Sequence, residues 1–334
     1  MLRYWIGLSK RYDLKVNNTE EGDDGSERGD KAIMITFFTA PKAFQGHIGI
    51  IQRNAIESWL RLRPQCEVIL FGDEVGVAEV ARELKVRHIS KVAKNEYGTP
   101  LISSLFEKAR EVGKYDVLCY VNSDIIFMSD FLKGVQRVIQ WKKREPFLLV
   151  GRRWGVDIDA PWKFNHADWE KRLRAFVQKQ GILFNQSYID YFVFPRELLN
   201  DIPPFAIGRV RWDNWMIYKA RSMHVSVIDG TEEIMAVHQN HNYSHFSQGE
   251  KEFWEGPEAK RNLKLAGGRW HLMDLEDVTH ILTPQAIQPT PFTNHLRRFL
   301  QRMRRSPWML PLEFPLAVSK RALKRAWNRV KELK

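Results

Sequence analysis

The chain has 334 residues, 44% hydrophobic and 12% aromatic, enough apolar material to bury a sizeable core and to exclude a peptide-like or intrinsically disordered protein. Two cysteines, Cys66 and Cys119, sit in or beside predicted strands with no paired spacing, which excludes a disulfide scaffold and a cysteine metal site and fits a reducing compartment. Residues 294–334 carry twelve Lys/Arg against Glu313 and Glu332, ten of the net charge of +12, so the body is close to neutral and a basic groove for a specific nucleic acid is not expected.

Residues 1–16 read as strand-like or loosely ordered, and the apolar stretch at residues 1–8 is too short for a signal peptide. Residues 17–30 form an acidic, Gly/Ser-rich loop. A first strand follows at residues 33–39, then a helix over 46–62 with Ile48, Ile51, Ala55, Trp59 and Leu62 at helical spacing. Residues 67–71 make a second strand broken by Gly72-Asp73-Glu74, residues 77–84 a second helix, and residues 86–89 a third strand. Thr99 can cap, and Pro100 open, a helix whose inner face is Leu101, Leu105, Ala109 and Val112, stopped by Gly113. The fourth strand, in residues 115–126, is apolar and β-branched and delivers Asn122 and Asp124 to the carboxyl edge of the sheet. Strands alternating with helices and joined by right-handed crossovers give a parallel sheet covered on both faces.

The second half is less regular: a helix over 130–141, a strand over 147–151, an aromatic and basic loop and helix over 162–180, a strand over 188–195, a helix over 212–221 and a strand over 225–228. No later segment approaches a membrane span. Residues 296–305 and 319–333 are basic helical patterns with apolar stripes, read either as a surface for anionic membranes or as solvated helices packed on their own domain. The expected location is cytoplasmic, with peripheral membrane attachment through this tail as a further expectation.

Ligands of open α/β sheets bind at the carboxyl edge. A carboxylate two residues beyond a side-chain amide at that edge can hold a hard cation bridging the phosphates of a nucleotide, or it can cap the next turn. Three histidines, 238, 241 and 245, crowd into eight residues with Asn240 and Asn242. They read as late metal ligands, His238 or His241 above all, or as a polar loop bonded to backbone.

In residues 31–245 the chain resembles the GT-A glycosyltransferases, nucleotide-sugar-dependent enzymes with one Rossmann-like domain. The resemblance rests on Asn122-Ser123-Asp124 where that family carries Asp-x-Asp, on residues 188–194, on Trp212-Asp213-Asn214-Trp215 and on His238-Gln239-Asn240-His241. Asn122 departs from the pattern by one negative charge. The resemblance implies an α/β fold with a mostly parallel sheet flanked by helices: an N-terminal segment at 1–30, a transferase domain at 31–283 (nucleotide half 31–128, mixed acceptor half 129–283) and a basic helical tail at 284–334. It implies a hexosyltransferase-like activity that moves a sugar from a UDP- or GDP-sugar to a glycan, lipid or protein hydroxyl, with Mn²⁺ or Mg²⁺ on the diphosphate. A catalytically inactive nucleotide-sugar binder, suggested by Asn122, or a membrane-tethering protein, suggested by the tail, is the alternative.

Asp124 is the expected metal carboxylate, with Asn122 and Ser123 beside the donor and His238 or His241 completing the site. Asp213, at a helix start whose dipole should keep it ionised, reads as the general base or as a simple N-cap. Asp190, in an aromatic strand, either accepts sugar hydroxyls or pairs with Arg196 or Arg209. Arg209 and Arg211 can face the diphosphate or solvent. Thr36, Phe37 and Thr39 are expected to line the base and ribose pocket, with Asp73 near the base and Thr99 near the ribose. Trp154, Trp162 and Trp169 form either a sugar-stacking wall or ordinary core.

Overall fold

The computed structural model describes residues 34–143, 145–241 and 250–291, together with 293, 297 and 298. The first half alternates as expected: β1 (Ile35–Thr39), α1 (Gly46–Arg61), β2 (Glu67–Phe71), α2 (Val77–Glu83), β3 (Arg87–Ile89), α3 (Ile102–Val112) and β4 (Val117–Val121). There follow β5 (Ile125–Ile126), α4 (Ser129–Lys142), β6 (Phe147–Val150), β7 (Arg153–Val156), α5 (Trp169–Gln180), β8 (Ile182–Leu183), β9 (Tyr191–Pro195) and α6 (Trp212–Ser222). The remaining elements are β10 (Ser226–Asp229), β11 (Ala236–Gln239), α7 (Glu250–Glu255), α8 (Pro257–Leu265), β12 (His280–Leu282) and β13 (Ile287–Pro289).

Nine strands form one sheet in the order β13-β12-β10-β6-β9-β4-β1-β2-β3. It is mostly parallel: β4, β1, β2 and β3 run together, as do β6, β10 and β12, while β9 runs antiparallel between β4 and β6 and β13 antiparallel at the edge. A second sheet, β5-β11-β7-β8, has no counterpart among the expected elements except at Ile125–Ile126, the end of the expected fourth strand. Its strands of two to four residues are too short to show a period of two in sequence.

Alternation along the central strands sorts side chains onto two faces. Phe38, Tyr120, Phe192 and Phe194 pack with α3 and α6; Phe37, Cys119, Val121, Tyr191 and Val193 pack with α1, α2 and α4. The third cluster lies between the small sheet and α5, and it takes in Trp154, Trp162 and Trp169, which belong to core packing rather than to an exposed wall. Cys66 and Cys119 are both free and buried.

One expected start is displaced. Thr99 does not cap α3, whose N-cap is Leu101 in extended conformation with no side-chain bond. Leu101 instead pairs with Ala206, and Ile102 N–H donates to the Phe205 carbonyl at 2.9 Å, so the chain stays extended two residues longer than its sequence suggests.

The chain divides into two compact units, residues 1–289 and 290–334. β13 occupies 287–289, within the stretch expected to open the tail. The basic helical patterns at 296–305 and 319–333 lie outside the described residues, apart from Arg297 and Arg298. Among the described residues, no helix is long and apolar enough to cross a membrane.

Trp59 joins core to site. It is fully buried, stacks on Phe37 at 5.6 Å and donates its indole N–H to the Ile125 carbonyl at 2.9 Å, one residue past Asp124. Trp59→Ala is expected to cost about 3–5 kcal/mol in urea unfolding, from the cavity and the orphaned carbonyl together. A loss below about 1 kcal/mol would show that this contact does not hold the loop.

Candidate metal and donor site

The chain leaves β4 at Val121, turns through Asn122, Ser123 and Asp124, and enters β5, which pairs antiparallel with β11 so that Ile125 stands opposite His238. This register carries the late histidines to the carboxyl edge beside Asp124. His241 Nε2 lies 3.1 Å and His238 Nε2 3.6 Å from Asp124 Oδ2. One ligand atom from each of the three falls within 4.8 Å of the others. Asp124 Oδ1 is buried with no hydrogen-bond partner among the described residues. A buried carboxylate oxygen left unpaired is costly, and a cation facing two imidazole nitrogens is a partner chemically suited to it.

The electrostatics agree. Burial alone would raise the Asp124 carboxyl, but His238, His241 and then Arg153 outweigh it and hold the group well below the usual carboxylate range. Burial drives His238 toward its neutral form against the pull of Asp124. Asn240 Oδ1 faces His238 Nδ1 at 3.4 Å and is itself oriented through Asn240 Nδ2 to Asp157 at 2.8 Å, which leaves the Nε2 lone pair directed at the site. His245 lies outside the described residues.

Buried amides hold the loop. Gln239, fully buried, donates to the carbonyls of Ile51 at 2.7 Å and Asp124 at 3.1 Å and accepts from Asn54 at 2.9 Å. Gln52 accepts from Lys42 N–H at 2.7 Å, donates to the Lys42 carbonyl at 2.9 Å and accepts the Ser123 hydroxyl at 2.8 Å. Ser123 is therefore a structural tie, and the half-buried Lys42 is fixed at the same edge. Burial lowers the Lys42 ammonium, Asp124 opposes that shift, and Arg209 adds to it.

Asp190 is paired differently from expectation. Its partner is Arg153, Nη1 to Oδ2 at 2.8 Å, while Arg196 goes to Asp116 and Arg209 to Glu258. The guanidinium of Arg153 lies over the rings of Phe184 at 4.7 Å and Tyr188 at 4.9 Å. The other oxygen of Asp190 accepts from Asn122 Nδ2 at 2.6 Å, and Asn122 Oδ1 accepts the Tyr120 hydroxyl at 3.0 Å.

Asp213 stands in the first turn of α6 and accepts the N–H of the N-cap residue, Arg211, at 3.1 Å. Arg211 has φ of +90°, a left-handed conformation that costs a non-glycine residue about 1–3 kcal/mol, stored here beside a candidate base. The helix start does not dominate Asp213 as expected. Burial does, raising the carboxyl to about 7 against its backbone hydrogen bonds, with Asp190 adding to the rise. The phenol of Tyr120, raised by burial, is raised further by Asp124, Asp190 and Asp213; its ring meets that of Trp212, the residue before Asp213, at 5.1 Å, and its hydroxyl reaches Asp190 through Asn122, so the carboxylates gather around Tyr120.

Other expected pocket residues fall elsewhere. Thr36, fully buried at the amino-terminal half of β1, bonds to Glu67 at 2.7 Å, and Phe37 stacks in the core, so neither can line a pocket at the carboxyl edge. Thr39 ends β1 at that edge and is almost fully buried. Asp73 is exposed and paired with Lys94 at 2.5 Å, and Thr99 sits in a turn where its N–H reaches Asn95 Oδ1 at 3.0 Å. Arg209 bonds Glu258 on α8 at 2.5 Å. Gln52, Arg153 and Tyr120 were not singled out from sequence. A glutamine one turn after Ile48 on the buried stripe of α1 was a legible signal; Arg153, in a short strand, gave none.

No family model and no curated protein matches the sequence. Solved structures do show a distant likeness. Glucosyl-3-phosphoglycerate synthase from Mycobacterium tuberculosis in complex with Mg²⁺ and UDP is 12% identical, with 72% of this chain and 81% of that chain covered and a TM-score of 0.39. The same enzyme with Mn²⁺, UDP-glucose and phosphoglyceric acid is 12% identical, covering 71% and 80% at a TM-score of 0.40. S. aureus TarS 1-349 is 14% identical, covering 63% of this chain and 59% of that chain at 0.36. Likeness this distant leaves function to be argued from the site.

Asp213 ties the site to pH. Its folded value near 7 exceeds its ordinary 3.8, so between about pH 4 and 7 the folded protein keeps a proton that the unfolded chain has released. Stability from this group therefore falls as pH rises through that window and levels off above 7. Three units correspond to about 4 kcal/mol as a ceiling, or about 2 kcal/mol once the solvent reaching this half-buried side chain is allowed for. In chelator, Asp213→Asn is expected to exceed the wild type by about 2 kcal/mol in urea unfolding at pH 8 and by only about 0.5 kcal/mol at pH 4.5. A difference independent of pH would contradict this.

Proposed function

We propose that the protein is a metal-dependent glycosyltransferase that moves a sugar from a nucleoside diphosphate sugar, UDP- or GDP-linked, to an acceptor hydroxyl. The observation that carries this reading is the gathering of Asp124, His238 and His241 at the carboxyl edge of a parallel sheet, where nucleotides bind, with Asp213 in the same neighbourhood. One carboxylate and two imidazoles suit Mn²⁺ better than Mg²⁺. When bound there, the cation supplies neutralisation of the diphosphate leaving group.

The chain's own residues do the rest. Lys42, clamped through its backbone by Gln52, adds positive charge on the β1 side of the cleft. Asp190, with one oxygen held by Arg153 and the other by Asn122, is an oriented acceptor for a sugar hydroxyl rather than a mobile base. Asp213 takes the proton of the acceptor hydroxyl as that oxygen attacks the anomeric carbon. A base with a value near 7 is half ionised at neutral pH and still basic enough to draw the proton, so the rate should rise with pH up to about 7 and then level.

Thermal-shift screening against UDP, GDP and their sugars, with and without Mn²⁺, tests this reading. One donor class is expected to raise the melting temperature by several degrees with Mn²⁺ and to lose that shift in Asp124→Ala. Asp213→Asn is expected to keep the shift while transfer falls by about 10²–10⁴-fold. A shift indifferent to both Mn²⁺ and Asp124, or turnover that survives Asp213→Asn, contradicts the proposal. A donor bound by the wild type and never consumed would identify an inactive binder.

A further inference from the structure

We propose that Asn122 is a positioning residue and not part of the cation site: its amide is the middle link of a hydrogen-bonded chain, Tyr120–Asn122–Asp190–Arg153, at the carboxyl end of β4. The inference rests on the reading of Asp124 as the cation's carboxylate, and it says what the residue two positions before that carboxylate does instead of binding metal.

The geometry requires an amide. Asn122 has an oxygen on one side and an N–H group on the other, and its neighbours demand both. The Tyr120 hydroxyl, in a strand residue 1% exposed, donates to Oδ1 at 3.0 Å. Asp190, 6% exposed, accepts from Nδ2 at 2.6 Å through Oδ1. The backbone repeats the tie, since Asn122 N–H donates to the Asp190 carbonyl at 2.9 Å. Beyond Asp190, Arg153 donates to Oδ2 at 2.8 Å, with its guanidinium fixed against Phe184 and Tyr188. Each link hands a donor to an acceptor, so the orientation of the amide is set by its partners rather than chosen.

A carboxylate at 122 would break the chain at its shortest link. It would present oxygen to the Asp190 oxygen where an N–H now stands at 2.6 Å, and it would add a fourth acid to a neighbourhood already holding Asp124, Asp190 and Asp213. The amide at 122 thus serves to orient Asp190 and, through it, Arg153.

The test uses the full chain and Mn²⁺ alone, followed by the loss of the free Mn²⁺ electron paramagnetic resonance signal. If Asn122 is no ligand, Asn122→Ala and Asn122→Asp each keep Mn²⁺ affinity within about threefold of the wild type, whereas Asp124→Ala loses it by more than a hundredfold. In metal-free protein, the Asn122 side-chain amide protons should exchange slowly and resonate away from the solvent-exposed amides, and Tyr120→Phe should shift them. The proposal is overturned if Asn122→Asp binds Mn²⁺ tenfold or more tightly, if Asn122→Ala loses affinity as Asp124→Ala does, or if the Asn122 amide exchanges freely and ignores Tyr120→Phe. Should Asn122→Asp fail to fold, Asn122→Ala and Tyr120→Phe give the same decision. A wild type that binds no Mn²⁺ would sink the functional proposal, while the amide resonances would still decide the chain.

Discussion

The site is organised around a buried carboxylate with one oxygen set between two imidazoles and the other without a hydrogen-bond partner among the described residues. Asp124 is carried to that place by two independent constraints. β4 ends at the carboxyl edge, and the two-residue β5 then pairs with β11 in the one register that sets His238 opposite Ile125. A slip of one residue would turn His238 to the opposite face of its strand. Register is held by Gln239, whose side chain grips the backbone of both α1 and Asp124, and by the Trp59 bond to Ile125.

The division of labour between the two sheets follows from this. The large sheet provides a rigid edge and a helix-covered core, and the small sheet provides the imidazoles and Arg153. Buried polar side chains join them: Gln239 bonds the backbone of α1 and of Asp124 and accepts from Asn54, while Asn54 and Gln52 of α1 bond the loops at Ala160, Trp162 and Lys42. Asn262 of α8 takes the Ala206 N–H at 2.9 Å and donates to its carbonyl at 3.1 Å, fixing the segment that leads into Arg209, Arg211 and Asp213. Such fully satisfied buried amides specify one arrangement, because any other leaves them unpaired at a cost of about 1–3 kcal/mol each.

Much of this was legible in sequence, and for physical reasons. Apolar runs such as Val117–Val121, alternating with helices that carry a clear apolar stripe, give a parallel sheet through right-handed crossovers. A charged residue at the end of such a run, Asp124, is conspicuous, and so is the crowding of His238 and His241. What was not legible depends on which end of a strand, or which partner, a side chain meets. Thr36 and Thr39 look alike in sequence, yet one lies toward the amino end of β1, bonded to Glu67, and the other at the carboxyl edge. The partner of Asp190 is Arg153, which sits in a four-residue strand of a sheet too short to announce itself. Asp213 stands at a helix start as expected, but its charge state is governed by burial, a tertiary property that no local pattern records.

The central claim is that a divalent cation sits among Asp124, His238 and His241. Crystals of the full chain soaked in Mn²⁺ and measured for anomalous scattering test it most directly. The account predicts one strong peak at about 2.2 Å from an Asp124 carboxylate oxygen and from the Nε2 atoms of both histidines. No peak there, or a peak that touches neither imidazole, would contradict it.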